Sequence, residues 1–207
     1  MLSQRSEPLT RIQRARRSEI LEAALEIFSQ NGYRGASINK IAEAAQMSTP
    51  RLLYHFSDKE ELYSELLSAT LQLWLEPLEQ IEETGDPVDE ICIYIQRKLE
   101  MSRDHPRESR LFAGEVLVGI KRADTALFEP LRAVFDSKIA LLEDWAAQGR
   151  ITAQDPHHLL YSIWATTQHY ADFEAQIEML SPQKMAKLFE GAEAHLVPMY
   201  RKLLTPT

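Results

Sequence analysis

The sequence predicts an all-α protein of about nine helices, three forming an N-terminal head and six a larger body. Three observations carry that prediction. Apolar residues recur at the i, i+3, i+4, i+7 spacing of an amphipathic helix in segment after segment, with no alternating pattern of the kind a strand needs. Helix-breaking groups, Asn31-Gly32, Gly85-Asp86-Pro87, His105-Pro106, Asp155-Pro156 and Ser181-Pro182, divide those segments at helical lengths. The chain's 207 residues, 44% of them hydrophobic and 26% charged, suffice for a small head and one larger core.

Residues 1–10 read as a flexible arm, residues 11–60 as the head and residues 61–207 as the body. Between Arg11 and Gln30, Ile20, Ala23, Ala24, Ile27 and Phe28 mark an amphipathic first helix, which Asn31-Gly32 ends as a C-cap. Tyr33 and Gly35 lead into the most informative stretch, residues 36–59. Ser37 caps a second helix whose Ile38, Ile41, Ala42 and Ala45 share one buried face. Ala45-Gln46-Met47-Ser48 breaks the pattern. Ser48 is a second N-cap, and Pro50 suits a first helical turn because its missing N–H has no partner there anyway. Leu53 and Phe56 are expected to face inward, leaving Thr49, Pro50, Arg51, Tyr54 and His55 outside. Ser57 with Glu60 is expected to form a capping box for the fourth helix. Two short helices, a tight turn and an Arg-bearing outer face make a helix-turn-helix, whose second helix fits the major groove of DNA.

The net charge of −8 argues against a nucleic-acid partner, but its distribution matters more than the sum. Residues 1–51 hold eight Lys and Arg against five Glu, while the remaining 156 residues hold 15 bases and 26 acids. A basic head can contact phosphates while an acidic body stays off them. Arg14, Arg16 and Arg17 stand at the start of the first helix for that purpose. Arg51 is the candidate base reader, because a guanidinium binds guanine O6 and N7 together. Thr49 shares its face, and Ser48 and Pro50 open the same helix. Ser37, Tyr54, His55 and Lys59 suit phosphate contacts, which set register rather than sequence preference. The expected partner is a double-stranded DNA operator.

From about residue 12 to 66 the chain resembles the DNA-binding domain of the tetracycline-repressor (TetR) family. The likeness rests on Ser37, Ile41-Ala42, Ala45-Gln46-Met47-Ser48, Tyr54-His55-Phe56 and Lys59-Glu60-Glu61-Leu62. It implies backbone contacts at Tyr54 and Lys59 and a three-helix head on a six-helix body. Gln46 stands where the family usually has Gly. A Gly there tolerates positive φ, so either Gln46 is strained or the turn is shifted.

In the body, the fourth helix is expected from Ser57 to about Thr84, with Leu62, Leu66, Ala69, Leu73 and Leu78 apolar and a kink at Pro77. At about 1.5 Å per residue it is roughly 40 Å long and joins head to body. The fifth helix covers approximately 87–104, the sixth Arg107 to Gly119, and the seventh Asp124 to Gln148 with a bend at Pro130 and a stop at Gly149. Asp155 caps the eighth, Pro156 first, running to about Met179. Ser181 caps the ninth, Pro182 first, running to about Leu204. Apolar stripes on these last two (Leu159, Ile163, Ala171; Met185, Leu188, Phe189, Leu196) exceed one core's need. Paired about a two-fold axis they predict a four-helix interface in a homodimer.

On the eighth helix Trp164, Gln168 and Asp172 form one stripe at i, i+4, i+8. Helical aromatics usually pack in a core or an interface. A Gln one turn from a Trp amid apolar neighbours, however, needs polar partners that a ligand can supply. The stretches Leu73 to Leu78, Lys98 to Asp104, Ser109 to Phe112 and Ile163 to Phe173 resemble the pyrimidine-utilisation branch of the TetR family, which implies a small-molecule effector like uracil or thymine. The likeness is weaker between Gly119 and Leu127. The chemistry agrees: Trp74 or Trp164 suits stacking on a flat ring, Gln168 matches an imide's N–H and carbonyl, and Lys98 or Asp172 serves the remaining groups.

No window approaches the ~18 consecutive apolar residues of a membrane span, and the first residues lack the apolar stretch of a secretion signal. A single cysteine, Cys92, forms no internal disulfide and reads as an inert buried thiol, in keeping with a cytoplasmic protein. His169 lies 11 and 12 residues from His158 and His157, too far along one helix for a shared metal ion. His169 and Asp172 have no Ser or Cys nucleophile placed beside them, so neither a cofactor nor enzymatic activity is expected. Two other readings remain open: a regulator of the same kind answering a bulky hydrophobic or cationic effector, and a helical adaptor that binds no operator.

Overall fold

The computed structural model describes residues 10–120 and 125–206, whose regular structure is helical throughout. The first helix, α1 (Arg11–Gly35), starts on a reciprocal cap. The Gln13 N–H donates to Thr10 Oγ1 at 3.3 Å and the Thr10 N–H to Gln13 Oε1 at 2.9 Å. Gly32, at φ 62°, turns the backbone where Asn31-Gly32 predicts, before a last helical turn. In α2 (Ile38–Ala44) and α3 (Thr49–His55), Ile41, Ala42 and Leu52 are buried, as are Ile20, Ala24 and Phe28 of α1. Between α2 and α3, Gln46 takes φ 54°. The turn therefore keeps the left-handed shape a glycine adopts freely, and the residue bears a strain of about 1–2 kcal/mol.

Three local expectations in the head are corrected. Leu53 is 43% exposed and Leu52 fully buried, because the inward pair is Leu52 and Phe56 at i, i+4. The Ser48 hydroxyl makes no capping bond. The cap of α4 (Lys59–Glu79) rests on Asp58 and Glu61, not Ser57 and Glu60. The Glu61 N–H donates to Asp58 Oδ1 at 2.9 Å, and the Ser57 N–H to Glu61 Oε2 at 2.6 Å. Carboxylates suit the positive end of the helix dipole better than a hydroxyl does. The chain divides within α4 into two compact units, Met1–Leu67 and Ser68–Thr207.

Near its end α4 contains Pro77 and stops at Glu79, short of Thr84. A proline removes one bond of the ladder, and the chain beyond it drops Leu78 and Ile81 into the core. The central element of the body is α5 (Pro87–Asp104), opened by Asp86, whose Oδ1 accepts from the N–H groups of Val88 and Asp89 at 3.0 Å each. It is buried nearly all round, Ile91, Ile95 and Leu99 on one side and Tyr94 and Lys98 on another. It packs against α8 (Pro156–Asp172) and α10 (Leu188–Leu204). Trp145 of α7 (Glu129–Ala147) and Tyr200 of α10 complete this core, and α6 (Pro106–Leu117) covers α8.

Three body boundaries differ from expectation. Asp124 lies outside the described residues; a 3-10 turn, Thr125–Phe128, precedes α7, and Pro130 stands in its first turn rather than bending it. Asp155 caps α8 as expected, accepting from His157 and His158 at 2.9 and 3.2 Å, but the helix breaks at Phe173, not near Met179. The short α9 (Glu174–Leu180) that follows buries none of its residues, so no packing holds it in line with α8. Ser181 makes no side-chain cap, and Pro182–Lys187 forms 3-10 turns before α10 starts. Ten α-helices result among the described residues, and none is long and apolar enough to cross a membrane.

Candidate functional site

The head presents one polar face. On α3 burial of Leu52 turns Arg51, Leu53 and Tyr54 outward, with Tyr54 76% exposed. Arg51 makes no ion pair among the described residues, Pro50 and Ser48 are exposed, and Thr49 is half-buried. The Thr49 hydroxyl donates to Asn39 Oδ1 at 3.0 Å, which ties α3 to α2. Asn39 was not singled out from sequence, because nothing local marks a bond ten residues away. Ser37 Oγ accepts from the Lys40 N–H at 3.3 Å, capping α2 as predicted. His55 stacks edge-on beside Tyr54 at 5.2 Å. Burial, then the charges of Arg17, Arg51 and Arg16, lower its pKa, so the ring is neutral near pH 7 and acts as a hydrogen-bonding group.

Arg17 and Lys59 are committed inside the head. The Arg17 guanidinium donates to the His55 carbonyl, pairs with Glu65 and lies 3.9 Å from the centre of the Phe56 ring. It fastens the end of α3. The Lys59 ammonium donates to the carbonyls of Tyr33 and Ala36 at 2.9 and 3.0 Å and lies 4.1 Å over the Tyr33 ring. Both charges hold the recognition surface in place rather than standing free on it.

In the body, Trp74, Lys98, Trp164 and Gln168 line one cavity of about 50 Å³, with Tyr94 and Phe112 in its wall. The helical repeat of α5 puts Tyr94, four residues before Lys98, on the same face; the sequence reading missed it. Trp164 Nε1 donates to the Tyr94 hydroxyl at 2.6 Å. Trp74 Nε1 is buried with no acceptor among the described residues. The Lys98 amine, on a residue only 2% exposed, faces the Trp74 ring at 5.0 Å, and burial pulls its pKa down to about 7 against the opposing charge of Asp172. Asp172 is not in the wall. Its Oδ1 accepts from Ser109 Oγ at 2.6 Å, and burial raises its pKa despite that bond and the nearby charges of Arg110, Lys98 and His169. The cavity thus sets a buried N–H, without an acceptor among the described residues, beside a buried amine, which neither a solvated nor a purely apolar pocket offers.

Comparison with known proteins bears on both sites. Residues 20–66 match the family model of bacterial regulatory proteins, tetR family, and residues 67–207 match that of the YcdC-like protein, C-terminal region. The chain is 44% identical over 167 residues to the HTH-type transcriptional regulator RutR of Escherichia coli strain K12, covering 81% of this chain and 79% of that protein. The Mycobacterium tuberculosis repressor KstR2 is 28% identical over 102 residues, about half of each chain. Among solved structures, SCO4942 of Streptomyces coelicolor superposes with a TM-score of 0.73 at 23% identity, over 92% of this chain and 99% of that one. AibR in complex with isovaleryl coenzyme A and operator DNA gives 0.66 at 21% identity, over 75% and 85%. Likenesses at that identity speak for the fold alone.

Proposed function

The chain belongs to the tetR family of bacterial regulatory proteins, and we propose that it is a cytoplasmic homodimeric repressor released from a DNA operator by a small planar, pyrimidine-like effector. The observation that carries the effector class is the cavity: the N–H of Trp74, without an acceptor among the described residues, calls for a ligand oxygen, and the buried amine of Lys98 calls for a polar ligand atom beside the same aromatic wall. A cation brings no acceptor for the Trp74 N–H, and a bulky apolar ligand would leave both polar groups unsatisfied at about 1–3 kcal/mol each. On the head, Arg51 reads a base, and Ser37, Ser48, Thr49, Pro50, Tyr54 and His55 seat the helix. Arg17 and Lys59 position it. No residue is assigned to catalysis.

The coupling follows from size. A cavity of about 50 Å³ is small beside the roughly 150 Å³ that holds a benzene-sized ring. A pyrimidine therefore enters only by moving the walls, and Leu71, Trp74 and Leu78 all belong to α4, the helix that begins with Lys59. A differential of about 1–3 kcal/mol in effector affinity between two placements of α4 loosens the operator about 5- to 150-fold. For the dimer, the expected stripe is corrected: Leu159, Ile163, Ala171 and Leu196 are buried within the protomer, so on the two helices expected to pair the apolar residues left exposed are Tyr161 of α8 and Met199 and Leu203 of α10.

The test is a gel-shift titration of the DNA upstream of the protein's own gene, with and without uracil or thymine. Arg51→Ala is expected to cost about 1–3 kcal/mol on the operator and little on random duplex. Equal losses on both would remove the base-reading role. An effector that binds without weakening the operator complex would refute the release mechanism.

A further inference from the structure

The inference rests on the cavity being the effector site. We propose that Lys98 meets the effector as a neutral amine, its nitrogen accepting a hydrogen bond from a ring N–H. Three polar groups in this cavity stand short of partners. Trp74 Nε1–H has no acceptor among the described residues. The Tyr94 hydroxyl accepts from Trp164 at 2.6 Å and keeps its own proton to donate. The Lys98 nitrogen faces the Trp74 ring.

As an ammonium, Lys98 would make all three groups donors, and its charge would sit 2% exposed with no carboxylate of the described residues at ion-pair distance. Asp172, the charge that acts on it, is committed to Ser109. A buried unpaired charge is costly, and losing the proton removes that cost while converting the nitrogen into an acceptor. Two donors and one acceptor are the complement of an imide, which presents two carbonyl oxygens and the N–H between them. The Gln168 amide, either way round, serves one more edge. The loosely held proton agrees, the pKa standing at about 7.

The titratable groups facing Lys98 are few. Tyr94 on its own helix has its pKa raised by burial and stays protonated. From α8 comes Asp172, itself under the charges of Arg110 on α6 and His169 on α8. The α4 and α7 walls contribute Leu71, Trp74, Leu78 and Leu131, none of them titratable.

The experiment titrates uracil into the full-length protein by calorimetry from about pH 6 to about pH 9. A complex with a neutral amine must shed the Lys98 proton, so affinity falls on acidification below about pH 7, approaching about tenfold per pH unit, and is level above it until the ligand ionises. An ammonium complex predicts the opposite, a loss above about pH 7; that profile, or a flat one, overturns the proposal. Dimethyluracil, methylated at both ring nitrogens, is expected not to bind, and binding as tight as that of uracil overturns it too. Lys98→Arg, which cannot shed its proton and offers no acceptor, is expected to lose uracil binding across the range, with a thermal melt checking its fold; retained, pH-independent binding overturns the proposal. In Asp172→Asn the acid-side dependence persists; its disappearance would assign the proton to Asp172 and sink the idea. If no pyrimidine binds at any pH, the reading of the cavity falls and takes this proposal with it, a result distinct from binding with the wrong pH profile.

Discussion

Replacing Lys98 by methionine tests the strongest electrostatic statement the fold makes. Folding takes this amine from a pKa of 10.5 to about 7. The unfolded chain therefore holds the Lys98 proton across the window from about pH 7 to about pH 10.5 while the folded chain has released it, and stability rises with pH through that window. The penalty is full below the lower value and gone above the upper one. At about 1.4 kcal/mol per pKa unit it amounts to about 4 kcal/mol at pH 7 and about 2 kcal/mol at pH 9. Methionine fills a similar length with no charge. Lys98→Met is thus expected to stabilise the protein by an amount of that order at pH 7 and by about half as much at pH 9, while abolishing effector binding. Urea melts at matched protein concentration measure it, since a dimer's midpoint depends on concentration. A variant no more stable than the parent at pH 7 would refute the reasoning. So would an equal gain in both proteins from pH 7 to pH 9.

Two further outcomes are expected. Gln46→Gly relieves the φ of 54° in the turn between α2 and α3 and should raise stability by about 1 kcal/mol, less the entropy glycine adds to the unfolded chain; a lower melting temperature would contradict the strain. Met199→Asp with Leu203→Asp places two charges where α10 exposes apolar side chains; sedimentation should show monomers that no longer shift the operator, and a persisting dimer would move the interface elsewhere.

Much of the head was legible because its signals are local. Ser37 caps α2, Asn31-Gly32 turns the chain, and Gln46 takes the left-handed conformation that a glycine-like position implies. These depend on residues within a turn of one another, where propensity and capping decide. The roles of Arg17 and Lys59 were not legible, since an arginine is drawn to a phosphate or to a carbonyl 38 residues away by the same chemistry. The break after Asp172 was missed for a related reason. The helical pattern continues past Phe173, but no neighbour buries α9.

The amino-acid sequence by itself determined the helical class, the recognition helix with Arg51 on its outer side, and the stripe of Trp164, Gln168 and Asp172, because each is written in spacings of three and four. Only the tertiary structure decided that Trp74, Lys98 and Trp164, carried on three separate helices, share one cavity, that Tyr94 joins them through a bond spanning 70 positions, and that Asp172 stands outside the wall. The reason is physical: periodicity says which way a side chain points on its own helix, while burial, and with it the charge state of Lys98, depends on which other helices close over it.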